Sequence, residues 1–426
     1  MSYSAEKLRP FINALPSINT LYVAYSGGCD SQVLLYSLSV LKLPCIQIKA
    51  IHIDHGLQAA SPQWAASCKA WAKELGFDCQ VIRVDAQAQT GESPEQAARQ
   101  ARYQALANVI SKGDVLLTAH HCDDQAETVM LQLLRGSGPL GLSAMGRTVP
   151  FSDGLLGRPL LEFTRADLED YGRSQGLKWI DDPSNLLLDY DRNFIRHRVS
   201  PLFAERWPSW QYVLNRVAFH QAEITKLADD LAAADFSQVA DESGTCLKVS
   251  GLLQLADYRR RNVLRFWIRQ RGLLLPSTRQ LSHIEKDVLK AGKDRTPLVH
   301  WSNGEVRRYR DYLYAMSPLV NFDAKFSVHW DTSQHDAIEL PTGRLTLSQL
   351  REAGLSFVHL DGASIEVRYR QGGEKIRIKG KNFHQDLKSL FQEAGVPPWL
   401  RGRIPLVYQN DKLLLVVGYW LADNGK

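Results

Sequence analysis

The chain reads as an α/β protein, a doubly wound parallel sheet followed by a helical domain and a small α+β C-terminal domain. Three observations lead there. Between Leu21 and Ala119, short apolar and β-branched runs alternate with segments of helical period, as successive βαβ units require. The first run leads into Ser26-Gly27-Gly28-Cys29-Asp30-Ser31, a glycine turn between a strand and a helix start. The charge is also segregated. The net value is only +5, yet Tyr258–Arg310 holds 14 Lys/Arg against 4 Asp/Glu, and Glu366–Arg403 holds 9 against 4. From these the expected domains are 1–207, 208–322 and 323–426.

A chain of 426 residues is long enough for two or three domains with real cores. It has no 18-residue apolar run, and Met1–Pro10 carries charge where a signal peptide would be apolar, so a cytoplasmic, non-membrane protein is expected. The six cysteines (Cys29, Cys45, Cys68, Cys79, Cys122 and Cys246) form no C-x-x-C pair. This argues against a structural zinc site or a cysteine-ligated cluster.

Leu21–Tyr25 reads as the first strand, and Val33, Leu34, Leu38 and Leu41 recur at helical spacing after the glycine turn. Gly27 and Gly28 allow close backbone approach to an anion, and the first helical N–H groups and the helix dipole favour a phosphate there. Ser26 and Ser31 add hydroxyl donors. No Walker-type lysine follows, so the loop is not the kind that grips a γ-phosphate for ordinary phosphoryl transfer. Ile46–Asp54 is the second strand and ends in His52-Ile53-Asp54-His55-Gly56-Leu57. That terminus either meets a nucleotide, with backbone near Ile53 against the base, or is a polar strand end with satisfied histidines. A helix follows with Ser61 as N-cap and Pro62 in its first turn. Cys79–Val84 is a third strand, and Ser93-Pro94-Glu95-Gln96 opens a helix with a capping-box pattern. On that helix Arg99 and Arg102 lie one turn apart, able to neutralise phosphate or to build a salt-bridged face.

Asp114–Ala119 is the fourth strand, and His120-His121-Cys122-Asp123-Asp124-Gln125-Ala126-Glu127-Thr128 follows it directly. Acids are favoured at this helix start by the dipole, and Asp124 and Glu127 share a face. Paired carboxylates there suit Mg²⁺ or an ammonium group; a transition-metal site and plain N-terminal capping are the alternatives. Leu134-Arg135-Gly136-Ser137-Gly138 ends the helix in a glycine-rich segment. In a doubly wound sheet all these motifs fall at the carboxyl ends of strands, where ligands bind.

Ser26 to Ser31 resembles the pyrophosphate (PP) loop, Ser-Gly-Gly-x-Asp-Ser, of the N-type ATP pyrophosphatases, a fold like that of the adenine nucleotide α-hydrolases. The further order of motifs is similar to that of the tRNA(Ile)-lysidine synthetase family in its long form: His52-x-Asp54-His55-Gly56-Leu57, Ala98-Arg99-x-x-Arg102-Tyr103, His120-His121-x-Asp123-Asp124-Gln125-x-Glu127-Thr128, Leu134-Arg135-Gly136-x-Gly138, Arg158-Pro159-Leu160-Leu161, Asp182-Pro183-Ser184-Asn185 and Arg192-Asn193-x-Ile195-Arg196. The resemblance implies a ligase that adenylates the C2 oxygen of the wobble cytidine of a tRNA(Ile) with a CAU anticodon. The amine of free L-lysine then displaces AMP. It implies ATP and Mg²⁺ as cofactors, with Ser26, Gly27, Gly28, Cys29, Asp30 and Ser31 holding ATP, Ile53, Asp54 and His55 near the nucleotide, and Asp30 positioning the metal. Asp30, Asp124 and Glu127 are then the catalytic candidates, the last two near lysine. Arg99, Arg102, His121, Asp123, Arg135, Asn185, Arg192, Asn193 and Arg196 are substrate-binding candidates. The oligomeric state stays open, a homodimer among the alternatives.

From Pro208 onward the pattern turns helical, and Arg259, Arg260, Arg261, Arg265, Arg269 and Arg271 form a basic stripe suited to the phosphates of a tRNA body. Beyond Phe326 the strands are shorter. Glu366–Arg370 alternates like a strand before a Gly372-Gly373 turn, Lys388–Ala394 is helical, and Val407–Tyr419 reads as a closing hairpin. The Val367-Arg368-x-Arg370-x-Gly372-Gly373-Glu374 and Pro397-Pro398-Trp399 stretches are similar to the family's C-terminal domain, which makes Arg368, Arg370 and Arg377 phosphate-contact candidates, an exposed salt-bridged sheet face being the alternative. A tRNA thiolase of the same loop superfamily is the rival enzyme, though such enzymes usually carry a cysteine pair or an essential cysteine. From another class, an RNA-binding module with a nucleotide switch is the alternative.

Overall fold

A computed structural model of the chain describes residues 2–44, 46–56, 58, 60–85, 94–292, 295–355, 364–378 and 383–423. Cys45, Leu57 and Ser93, the first residue of the expected capping box, lie outside the described residues. The chain divides into two compact units, Met1–Ala228 and Asp229–Lys426.

The first unit is built on a six-stranded sheet of β1 (Thr20–Ala24), β2 (Gln47–Asp54), β3 (Asp78–Arg83), β4 (Val115–Leu117), β5 (Thr148–Phe151) and β6 (Gly154–Gly157), in the spatial order β3-β2-β1-β4-β6-β5. Every pairing is parallel except β5 with β6, a hairpin at the edge. Chain order reverses between β1 and β4. In such a sheet that is the switch point, where the loops leaving two neighbouring strands diverge and open a crevice.

Both faces of the sheet are covered, so its central strands are apolar on both sides. One face packs Leu21, Val23, Val115 and Leu117 against Val33, Leu34 and Leu38 of the helix Cys29–Leu41 and Leu168 of the helix Arg165–Ser174. The other sets Ile51, Leu116 and Leu156 against Leu106 and Ile110. The helix after the glycine turn starts at Cys29, with Gly28 as its N-cap, four residues before the apolar period begins at Val33. The next helix begins at Ser61 itself with Ala60 as N-cap, not with Ser61 in the capping position, and no side chain caps it.

In the second unit, the helix Asp257–Gln270 buries Val263, Leu264, Trp267 and Ile268, as its apolar spacing requires. This region is not purely helical. Its core is closed by a four-stranded antiparallel sheet of Cys246–Lys248, Tyr312–Met316, Gly304–Tyr309 and Leu298–Trp301. These strands are only three to six residues long, too short for a two-residue alternation to stand out in the sequence. Further along, Ser364–Arg368 pairs with Ser327–Asp331 and Leu406–Gln409, and the closing hairpin Leu406–Gln409/Lys412–Val416 turns through Asn410 and Asp411. Both turn residues have positive φ, 50° and 59°, the left-handed pair that a tight hairpin needs.

Gly27 is the position that permits the first loop. Its φ is +84°, and a Cβ there would lie 2.6 Å from Cys68 Sγ and 2.7 Å from Ile180 Cδ1, while the Ile180 N–H donates to its carbonyl at 2.9 Å. Gly27→Ala is expected to destabilise the first unit by about 2 kcal/mol or more through strain and overlap together. Chemical denaturation of wild type and variant measures it.

Candidate active site

The loops leaving β1 and β4 carry the two richest motifs, and the switch point brings them together. In the first, Ser31 Oγ accepts from the Gly27 N–H at 3.1 Å and donates to the Gly28 carbonyl at 3.0 Å, and Ser26 Oγ accepts from the Gly28 N–H at 3.3 Å. The two hydroxyls are 3.1 Å apart. The serines thus hold the loop in shape, with backbone amides of the first helical turn beside it. Cys29 is buried and its thiol is pushed up to about 12 by that burial, with the charge of Asp30 adding to it. Asp30 stands at the start of the helix, and its Oδ1 is buried without a hydrogen-bond partner. Burial raises the Asp30 carboxyl; His121 opposes the rise and Asp124 adds to it.

The second loop is organised by His121, the N-cap of the helix Cys122–Leu134. Its Nε2 lies 3.6 Å from Asp30 Oδ2 and 3.3 Å from Asp124 Oδ2, and its Nδ1 lies 3.6 Å from Asp123 Oδ2. Burial disfavours charge on this imidazole, but Asp124, Asp123 and Asp30 outweigh it and raise its pKa to about 9. Nδ1 also faces the Asp124 N–H at 3.4 Å, an acceptor role open only to the neutral ring. Against three carboxylates that long contact loses, and the imidazolium is the form the site favours. Asp123 is held further by the Arg165 N–H at 2.9 Å and Gln211 Nε2 at 3.2 Å. Despite burial, its carboxyl stays below the usual range through these partners.

Asp124 and Glu127 share one face, as their spacing predicts, and Arg196 closes on both. Its Nε donates to Glu127 Oε1 at 2.7 Å, and its Nη2 donates to Glu127 Oε2 and Asp124 Oδ1 at 2.9 Å each. Arg192, one turn earlier, places Nε 3.4 Å from Glu127 Oε2 and donates from Nη2 to Thr128 Oγ1 at 2.7 Å. Arg192 belongs to the short helix Asp191–Phe194, and Arg196 to the π-helical turn Ile195–Val199 that continues it. Such a turn is a frequent device for aiming side chains at functional sites. Burial pushes the Glu127 carboxyl up while Arg196 pulls it back; the same contact, against the burial cost, holds Arg196 firmly protonated.

The other candidates divide. Asp54, the last residue of β2, is buried, accepts from the Gly56 N–H at 2.9 Å and faces Arg83 at 3.4 Å. Ile53 lies in β2 opposite Ile82 of β3. His55 Nδ1 is buried without a hydrogen-bond partner, and burial, then the Arg102 charge, lowers its pKa. Arg99 and Arg102 lie over the Tyr103 ring at 5.0 and 5.5 Å. Asn193 donates to the Ser184 and Leu187 carbonyls at 3.1 and 2.8 Å, and Asn185 offers its carbonyl to His197 Nε2 at 2.8 Å, so both shape the loop that ends in Arg192 and Arg196. Arg135 is exposed at the far end of its helix, about 16 Å along the axis from Asp124, and does not join the cluster.

In the second unit, Arg368 is paired with Glu366 at 3.2 Å and stacks on Tyr408, and Arg370 is paired with Glu374 at 3.4 Å. Arg377 pairs with Asp423 at 3.6 Å. Much of the basic stripe is likewise engaged: Arg259 with Asp235, Arg260 and Arg261 with Glu285, Arg269 with Asp229.

Sequence reasoning gave no role to His120 or Arg158. Thr118 Oγ1 lies 2.8 Å from His120 Nδ1, and burial keeps that imidazole neutral, down to about 3, with Arg158, Arg102 and Arg192 contributing and Asp124 opposing. Arg158 donates to the Gly146 carbonyl at 2.6 Å and leaves a buried Nε without a partner. In the sequence its signal is its place in the run Arg158-Pro159-Leu160-Leu161.

A glycine loop and an acidic cluster facing each other across the switch point define an enzyme of the PP-loop, nucleotide-using class. The family description "PP-loop domain" matches residues 2–203, "TilS substrate binding domain" 247–314 and "TilS substrate C-terminal domain" 365–426. The chain is 42% identical to the tRNA(Ile)-lysidine synthase of Methylococcus capsulatus over 95% of its own length and 93% of the relative's, and 40% identical to that of Coxiella burnetii over 99% and 93%. It belongs to the tRNA(Ile)-lysidine synthase family. A solved structure of the U34-tRNA thiolase NcsA of Methanococcus maripaludis, 20% identical, covers 51% of this chain and 78% of its own at a TM-score of 0.44, too distant to bear on function.

An imidazole held protonated to about pH 9 in the fold, against about 6.5 when unfolded, contributes stability that is whole below pH ~6.5 and lost as pH rises through 9. The stability gap between wild type and His121→Gln is therefore expected to be on the order of 3 kcal/mol at pH 6 and to narrow towards pH 9.5. Denaturant titrations at both pH values measure it.

Proposed function

We propose that the chain joins free L-lysine to C2 of the wobble cytidine of a tRNA(Ile) with a CAU anticodon, through an adenylated base, releasing AMP and pyrophosphate. The observation that carries this reading is that one imidazole, His121, spans the two loops: Asp30 of the glycine loop and Asp124 of the acidic pair lie 3.6 and 3.3 Å from its Nε2. ATP chemistry and a cation site then share one wall.

In this reading the amides around Gly27 and Gly28 take the β,γ-phosphates of ATP, with Ser26 and Ser31 holding the turn. The unpartnered Oδ1 of Asp30 fits Mg²⁺, which commonly takes one or two carboxylates and completes its shell with phosphate oxygens and water. Such an ion would supply charge neutralisation for the leaving pyrophosphate. In this reading the protein's share of the shell is Asp30. Asp124 and Glu127 are a seat for a cation, presently filled by Arg196, and the ammonium of lysine is the cation the reaction needs. An amine must lose a proton to attack, and Glu127, whose carboxyl burial raises, is suited to receive it. Arg102, Arg158 and Arg192, whose charges converge on neutral His120, offer neutralisation for the nucleotide's phosphate. Against sulfur transfer, the Cys29 and Cys122 thiols are both buried and pushed up to about 12, far from the thiolate such chemistry uses.

The test is retention of labelled lysine in a tRNA(Ile) transcript with a CAU anticodon after mild alkaline deacylation, with pyrophosphate measured in parallel. Asp30→Asn is expected to abolish pyrophosphate release; release at the wild-type rate would sink the loop assignment. Glu127→Gln is expected to raise the KM for lysine by about tenfold or more with ATP binding retained, as loss of one charged partner implies. Unchanged lysine dependence would remove Glu127 from the site.

A further inference from the structure

The helix Arg165–Ser174 packs on the start of the helix Cys29–Leu41: a Cβ on Gly172 would lie 3.3 Å from Val33 Cγ2 and 3.7 Å from Cys29 Sγ. Its first residue is also pinned from the other loop, since the Arg165 N–H donates to Asp123 Oδ2 at 2.9 Å. Arg165 therefore stands where the glycine loop and the acidic segment meet. Burial raises the Asp30 carboxyl and the Cys29 thiol, and the Arg165 charge opposes the rise in both. Yet Arg165 is not spent on Asp30. Its Nε donates to Glu169 Oε1 at 2.8 Å, while Glu169 Oε2 accepts from a second guanidinium, that of Arg173, at 3.1 Å. Steps of four residues put the three on one helix face, so one carboxylate sits between two cations. The other acid near Arg173, exposed Asp170, is 4.0 Å away. One arginine can leave Glu169 without stranding it.

We propose that Arg165 is the arginine that leaves, and that it meets the β,γ-pyrophosphate of ATP beside the glycine loop. This role rests on the glycine loop being the seat of those phosphates, and it adds the side chain that stabilises their departure. When an oxygen attacks the α-phosphorus, the new O–P bond forms as the bond from that phosphorus to the bridging oxygen breaks. The electron pair then leaves on pyrophosphate. The amides around Gly27 and Gly28 meet part of that charge, and a planar guanidinium adds a two-point grip on it. Arg192 and Arg196 serve the other wall, where Glu127 and Asp124 hold them. Glu169 recaptures Arg165 once the reaction is over, which lets pyrophosphate go. Glu169 is thus a positioning residue, and its removal acts with the sign opposite to that of removing Arg165.

The experiment is calorimetric titration of the full chain with inorganic pyrophosphate and, separately, with AMP, each with Mg²⁺ present. Wild type is compared with Arg165→Gln, Glu169→Gln and Arg173→Gln, with circular dichroism melts as the folding control. Arg165→Gln is expected to weaken pyrophosphate binding by about tenfold or more and to leave AMP, which has no β,γ-phosphates, unchanged. Glu169→Gln frees Arg165 and is expected to tighten pyrophosphate binding by about two- to fivefold, the worth of a partly exposed ion pair. Arg173→Gln leaves Glu169 to Arg165 alone and is expected to weaken it by a similar factor. Pyrophosphate binding that survives Arg165→Gln, or an equal loss of AMP, would overturn the proposal and leave the loop reading standing. So would weaker pyrophosphate binding by Glu169→Gln, because a merely structural ladder loses by every deletion. Wild type that takes up no pyrophosphate would overturn the loop reading, and the role of Arg165 with it.

Discussion

The first unit depends on a charge balance in a place where water is scarce. Asp30, Asp123, Asp124 and Glu127 bring four carboxyl groups into one crevice, and neither chain segment that supplies them would tolerate that alone. His121, Arg192 and Arg196 offset them from three directions. Removing one partner from such a network leaves a buried charge uncompensated, which costs far more than the pair contributes. The arrangement is therefore both a constraint on the fold and a store of electrostatic readiness. A carboxylate pair closed by a guanidinium and an aspartate oxygen without a partner are the features on which the proposed function rests.

The sheet explains why these groups meet at all. β1 and β4 are neighbours in space while β2 and β3 lie on the other side of β1, so the glycine loop and the His120–Thr128 segment emerge side by side from strands far apart in sequence. The helices that follow both loops aim their N-termini at the same crevice. The third contributor comes later still: Arg192, in the short helix Asp191–Phe194, and Arg196, in the π-helical turn that continues it, both reach the acids.

The second unit holds a different lesson about charge. Its basic excess suggests a polyanion surface, and the family to which the chain belongs forms lysidine on a tRNA. Yet Arg259, Arg260, Arg261 and Arg269 all meet carboxylates within their own unit, and Arg368 and Arg370 do the same. A count of charges along a segment does not say which are already answered by partners elsewhere in the chain. Paired arginines still present positive edges to a phosphate, but they begin from a structured, partly neutralised state.

The sequence by itself determined the βαβ rhythm, the loop from Ser26 to Ser31, the shared face of Asp124 and Glu127 and the hairpin at the end of the chain. Each follows from local rules of spacing, caps and turns that act within a dozen residues. Only the tertiary structure decided that His121 would be the hub of three carboxylates, that Arg196 would sit on Asp124 and Glu127, and that His120 would stay neutral among arginines. It also decided that the arginine stripe near Arg259 would be largely spent on ion pairs, and that the region around it would be closed by an antiparallel sheet. The reason is the same in each case. Periodicity and propensity are properties of neighbours along the chain, whereas the protonation of a buried group and the partner of a charge are set by what folding brings within a few ångströms.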